Sequence, residues 1–181
     1  MNGIFAGLFF VFFNFTVDFG MLRVGLIPDF VGFILIVVGL AELAPYGPLF
    51  VRAKTFAFGM AFYTGFLYML DLTGLYVQLG EGTVYVLHLL GLLVMYFITY
   101  QITFGIKDIE TERRWKLKAN SLCSVWVITL GMALINQIGY WIPALQLLLR
   151  ILSIALYVVF LFFFNQTRIL FYRQSRGKGN N

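Results

Sequence analysis

The stretch Gly25–Leu43, GLIPDFVGFILIVVGLAEL, decides the fold. An α-helix needs about 20 mostly apolar residues to cross the ~30 Å hydrocarbon core of a bilayer, and Leu26–Ala44 offers that run with Asp29 and Glu42 as its only charges. Pro28 and Asp29 read as a helix start. Proline fits the first turn, where its missing N–H costs least, and an acid behind it can accept free amides at the positive end of the helix dipole. That accounts for one carboxylate at the edge of hydrocarbon. Asp18, Asp71, His88 and Arg150 raise the same question.

The rest of the chain is as apolar as this stretch. Of 181 residues, 61% are hydrophobic and 12% charged, with a mean hydropathy of +0.88; soluble domains carry about 25% charged residues. So little polar surface cannot cover a water-facing globule, so lipid is the solvent. The expected fold is all-α, an integral membrane bundle of six helices: Gly3–Phe19, Leu26–Ala44, Ala53–Leu70, Thr83–Gly105, Ser121–Gly139 and Ala144–Phe164. The count falls to five if the first, short and carrying Asn14, Thr16 and Asp18, does not span. We expect one transmembrane domain over residues 1–167 and a basic tail over 168–181 that is disordered at its end. No basic region precedes the first apolar run, so Gly3–Val17 reads as a mature helix and not a signal peptide.

Turn formers separate the helices, with Pro28, Pro45 and Pro143 at helix ends. The fourth helix should continue into IKDIETERRWKLK, where Glu110 with Arg114 and Glu112 with Lys116 have i,i+4 spacing. Asn120 or Ser121 would cap the fifth helix. Lys and Arg mark the cytoplasmic side. Arg52, Lys54, Lys107, Arg113, Arg114, Lys116, Lys118, Arg168, Arg173, Arg176 and Lys178 fall on one face of a six-helix chain, eleven basic residues against four acids. The other face keeps Arg23 and Arg150 against Asp18, Asp29, Asp71 and Glu81. Both termini should therefore be cytoplasmic, in a multi-pass protein of the cell membrane. The basic segments fit positive-inside topology and attraction to the anionic leaflet rather than nucleic acid. Trp115 and Trp141 would be interfacial anchors on opposite sides.

Small residues recur at helical spacing. Gly25, Gly32 and Gly39 line one face of helix 2, Ala57, Ala61 and Gly65 run along helix 3, and Gly3 with Gly7 forms G-x-x-x-G in helix 1. Such faces let backbones approach closely in lipid, where no hydrophobic effect drives helices together. They serve internal packing or, in the alternative reading, a partner subunit.

The polar residues form a second pattern. Thr64, Tyr68 and Asp71 make one stripe on helix 3, and Gln146, Arg150, Ser153 and Tyr157 another on helix 6. Asn14 and Asp18 are i,i+4 on helix 1, His88 lies near the start of helix 4, and Asn136 near the end of helix 5. Charged groups inside a bilayer cost about 2.5–3.5 kcal/mol at a helix centre and usually face the bundle interior or a water-filled cavity. Arg150 should therefore face inward and pair with Asp71 or Asp18. The candidate ligand-binding set is Arg150, Asp71, Asp18, His88, Tyr68, Gln146 and Asn136. A buried structural salt bridge is the competing account of the same residues. Cys123 and His88 are the only residues of their kinds. A disulfide within the chain and a structural zinc site, which normally takes four Cys or His ligands, are excluded. No catalytic constellation, metal or cofactor is expected.

The stretch GLIPDFVGFILIVVGLAEL resembles a pattern, L-x-P-D-F-x-G-[FY]-I-L-I, of small polytopic membrane proteins of Gram-positive bacteria to which no activity is assigned. In size and helix number the chain also looks like the substrate-binding components of energy-coupling-factor vitamin transporters, six-helix proteins with an outward-facing pocket; Gly3 and Gly7 partly match their first-helix motif, and their alanine pattern is absent. The expected function is non-enzymatic binding of a small molecule or lipid through the outer polar cluster, as in a transport component. The alternative is a structural or regulatory subunit with a membrane-protein partner.

Overall fold

The first two helices meet glycine to glycine. In the computed structural model, which describes residues 1–13, 16–19, 22–25, 28–139 and 143–177, α1 (Asn2–Phe12) runs antiparallel to α2 (Asp29–Leu43). A Cβ on Gly3 would stand 2.7 Å from the Leu35 carbonyl oxygen and 2.9 Å from the Gly39 nitrogen, and one on Gly32 would stand 3.0 Å from the Gly7 oxygen. The Met1 ammonium pairs with Glu42 at the far end of α2. Both glycine spacings in the sequence are therefore spent on one close helix pair, as expected of association in lipid.

Two expectations fail here. The first helix stops at Phe12 instead of continuing to Phe19, and residues 16–25 hold an antiparallel hairpin, β1 (Thr16–Phe19) and β2 (Leu22–Gly25). Thr16, Val17 and Val24 are β-branched, which disfavours helix and suits a pleated strand. Gly25 consequently lies on β2 and not on the glycine line of α2. Asp18 is no longer a helical neighbour of Asn14, which lies outside the described residues; its cross-strand partner is Arg23.

The chain's contacts gather in two units, Met1–Gln101 and Ile102–Asn181. In the first, α2 packs on α3 (Pro48–Leu72), where Ala53 and Ala57 are fully buried and Ala61 half-buried. A Cβ on Gly65 would make ordinary contact with Phe30, at 3.8 Å. Pro28 immediately precedes α2 with extended backbone and Asp29 is the acid of its first turn, so the Pro-Asp start is where the sequence places it. The first half of α4 (Glu81–Arg113) joins α3 through the Tyr63 hydroxyl, which donates to the Leu87 carbonyl at 2.7 Å, and through the Phe56–Phe97 ring pair. Tyr63→Phe removes one net hydrogen bond, so we expect a loss of about 1 kcal/mol, read as a small fall in the thermal midpoint in detergent.

The second unit is built from the end of α4, α5 (Ala119–Gly139) and α6 (Pro143–Gly177). Ile102, Ile106 and Ile109 form a buried i, i+4, i+7 line on α4, and Trp126 of α5 meets Phe104 edge-on. Residues 168–177, expected as a tail, are the last turns of α6; 178–181 lie outside the described residues.

The α4–α5 connection departs most from its sequence reading. α4 ends at Arg113, and Arg114 takes φ +53. The Trp115 N–H bonds back to the Glu110 carbonyl at 3.1 Å, the 6→1 bond of a Schellman stop. Arg114 and Lys116 are thus off the helix, and neither i,i+4 pair forms. Glu110 turns instead to the next helix: its Oε2 accepts the N–H groups of Leu117 (3.1 Å) and Ala119 (2.7 Å). It does the capping expected of Asn120 or Ser121. Across Trp115–Ala119 burial alternates, with Trp115, Leu117 and Ala119 in and Lys116 and Lys118 out. The Gln174 amide bonds both ways with the Lys116 peptide, and Trp115 packs edge-on against Phe171. Trp115 is therefore a buried clamp, 7% exposed, rather than an interfacial anchor. Trp141 lies outside the described residues.

Five helices are long and apolar enough to cross a membrane: Asp29–Tyr46, Pro48–Leu72, Gly82–Arg113, Ala119–Gln137 and Leu145–Arg176. At 1.5 Å per residue α1 rises only about 16 Å and is too short to be one of them by itself. Phe62, Phe66, Leu147 and Ile151 are each at least 60% exposed, a surface that lipid tolerates and water does not. The chain is an all-α, multi-pass membrane helix bundle with one short hairpin.

Candidate functional site

One end of the first unit collects most of its polar chemistry. Thr64, Tyr68 and Asp71 are half-buried on α3, as their spacing requires. The Thr64 hydroxyl is taken up by its own helix, bonding the Met60 carbonyl at 2.7 Å, a common fate of a mid-helix threonine. Tyr68 lies against Phe30 with ring centroids 5.9 Å apart. Asp71 is the penultimate residue of α3, and Gly74, at φ +70, turns the chain into the short helical turn Tyr76–Gln78. That turn brings Tyr76 under the influence of Asp71. Burial, and then the Asp71 carboxylate, push the Tyr76 phenol above its ordinary value. The hairpin belongs to the same unit, where β2 contacts α3. His88 is exposed on α4, one residue after the carbonyl that Tyr63 binds.

The remaining candidates lie in the second unit. Gln146 and Asn136 are half-buried, and Arg150 is exposed instead of facing inward. The buried line of α6 runs through Leu149, Ser153 and Phe160, all under 8% exposed; Arg150 lies about 100° around the helix from Leu149. The polar stripe grazes the buried face without Arg150 being on it. Among the described residues Arg150 forms no ion pair.

Other buried polar side chains carry no charge and escaped notice for that reason. Gln101 is 2% exposed and Thr103 fully buried, and neither Gln101 amide atom nor the Thr103 hydroxyl has a hydrogen-bond partner among the described residues. The run ITYQITF, 98–104, was the available signal. Among the described residues no group of three or more His, Cys, Asp or Glu is placed to hold a metal ion.

Comparison with protein-family models, with curated proteins and with solved structures gives no match. What the chain itself defines is a class, the multi-pass membrane helix bundle.

Proposed function

We propose that the chain is a non-enzymatic protein of the cell membrane that binds a small molecule or lipid headgroup at the polar end of its first unit, as a transport component would. The observation that carries this reading is the end of α3, where Thr64, Tyr68 and Asp71 fall on one helix face and Tyr76 follows in the next turn, near enough for the Asp71 charge to add to the upward push that burial gives its phenol. Tyr68 offers an aromatic wall on the same face of α3, and His88 supplies further hydrogen-bonding capacity in the same unit. A few placed polar groups among aromatic side chains are the usual make-up of a small-ligand site. The packing-subunit alternative has less support, because Gly3, Gly7, Gly32 and Gly39 are engaged with one another and Ala57 is already buried.

Both termini belong on the cytoplasmic side in this reading. α1 begins beside Glu42, at the end of α2 that leads to Arg52 and Lys54, so the basic side includes the first residues.

Native mass spectrometry of gently purified protein tests the site. We expect a bound small molecule or lipid in the wild type, lost in Asp71→Ala and weakened in Tyr76→Phe, with Arg150→Ala retaining it and all three keeping the wild-type thermal midpoint. Retention of the adduct in Asp71→Ala and Tyr76→Phe would overturn the assignment.

A further inference from the structure

The end of α3 and the end of α4 solve the same problem with different residues. Each needs left-handed backbone to stop. α3 uses Gly74 at φ +70, the residue that takes this conformation without a Cβ penalty. The α4–α5 turn uses Arg114 at φ +53 and Lys118 at φ +59, the only non-glycine residues with positive φ among those described. In a chain of 18 glycines, two basic side chains hold positions that glycine would occupy more easily. We infer that the α4–α5 turn is a pre-organised site for the headgroup of an anionic phospholipid.

Three observations specify that occupant. Arg113, Arg114, Lys116 and Lys118 are all exposed, and Arg114, Lys116 and Lys118 form no ion pair among the described residues. Residues 107–118 and 168–176 together carry eight Lys or Arg against three acids, and one of those acids, Glu110, is occupied by the amides of Leu117 and Ala119. The turn also lies at the basic ends of helices longer than the hydrocarbon is thick. α4 has 33 residues and α6 has 35, each rising about 50 Å, beyond the ~30 Å of hydrocarbon and into the polar layer. A phosphodiester there meets a guanidinium able to bond two of its oxygens and ammonium groups on either side.

The turn is also held in place. Gln174 grips the Lys116 peptide, Trp115 is clamped on Phe171, and the Arg113 guanidinium lies 5.5 Å from the Trp115 ring centroid. A cluster of charges on a mobile loop would attract any anionic surface. A fixed one can retain a lipid through purification.

The test is native mass spectrometry of the full chain from micelles doped with phosphatidylglycerol or phosphatidylcholine, with thermal midpoints measured in parallel. The wild type should retain phosphatidylglycerol in preference. Arg114→Gly and Lys118→Gly should each weaken its retention about five-fold, the worth of one basic residue near an anionic surface, while the midpoint stays level or rises. Function lost at undiminished stability is what a purely structural role would not produce. Gln174→Leu changes no charge and should still weaken retention by loosening the turn. Lys54→Ala, on the first unit, removes a charge and should leave retention unchanged. Equal retention of the two lipids, undiminished phosphatidylglycerol in both glycine variants, or an equal loss in Lys54→Ala would overturn the proposal. So would displacement by millimolar inorganic phosphate, which would make the site one for free phosphate.

Discussion

Gly39→Ala should destabilise the protein by about 3 kcal/mol or more, the upper end of the range for overpacking. The new methyl meets backbone: it would press on the Ile4 nitrogen and stand 3.0 Å from the Gly3 carbonyl carbon. A side chain can rotate aside, but here α1 itself must move away from α2. Moving it also loosens the mirror-image contacts of Gly7 with Gly32 and separates the buried Ile4 and Leu8 from Ile36 and Leu40. Gly59→Ala on α3 is the control, since a Cβ there meets nothing within 4 Å. Alanine is favoured over glycine in a helix by up to about 1 kcal/mol, so that variant should be level or slightly more stable. At about 2–4 °C per kcal/mol for a chain of this size, the two midpoints should separate by roughly 6 °C or more. Equal midpoints would mean that α1 and α2 do not pack through their glycines.

The contrast also explains which parts of the fold were legible in the sequence. Apolar length gives α2 to α6 as spans because the ~30 Å requirement is a property of the bilayer rather than of the partners. The glycine spacing gives the face of α2 that must meet a backbone, since only close approach rewards glycine in lipid. The end of α1 was not legible. Where helix was expected to run on, Thr16–Phe19 is a strand, which depends on local preferences of Thr16 and Val17 that hydropathy does not register. The α4–α5 turn was misread for a related reason. The i,i+4 rule assumes that a helix continues, and Arg114 ends it.

At the candidate site, sequence spacing placed Thr64, Tyr68 and Asp71 on one face of α3 correctly, because helix periodicity alone fixes that relation. It could not find Tyr76, which comes under the influence of the Asp71 charge only through the turn that Gly74 allows. It also paired charges by expected depth in the membrane and so offered Arg150 either Asp71 or Asp18, whereas the cross-strand register sets Asp18 opposite Arg23, five residues along the chain.

Glu110→Ala is the second large effect. The carboxylate accepts two N–H groups belonging to Leu117 and Ala119, residues with no exposed surface. Hydrogen bonds to a charged group contribute about 1.5–3 kcal/mol each, and removing the acceptor leaves both donors in a dry turn. A combined loss of about 3–4 kcal/mol is expected, allowing for some relaxation of the turn. Glu110→Gln keeps one acceptor oxygen without its charge and should fall between alanine and wild type. Asn120→Ala and Ser121→Ala should change little, although both are better N-cap residues by type, because the α5 amide that Glu110 holds is already satisfied. Hydrogen exchange over residues 115–122 separates this account from a general loss of stability. Glu110→Ala should speed exchange there well before α6 residues such as Phe160 and Phe164 respond. If instead Asn120→Ala or Ser121→Ala opens that segment while Glu110→Ala does not, α5 is capped from within, and the turn loses the fixed geometry on which its exposed basic residues depend.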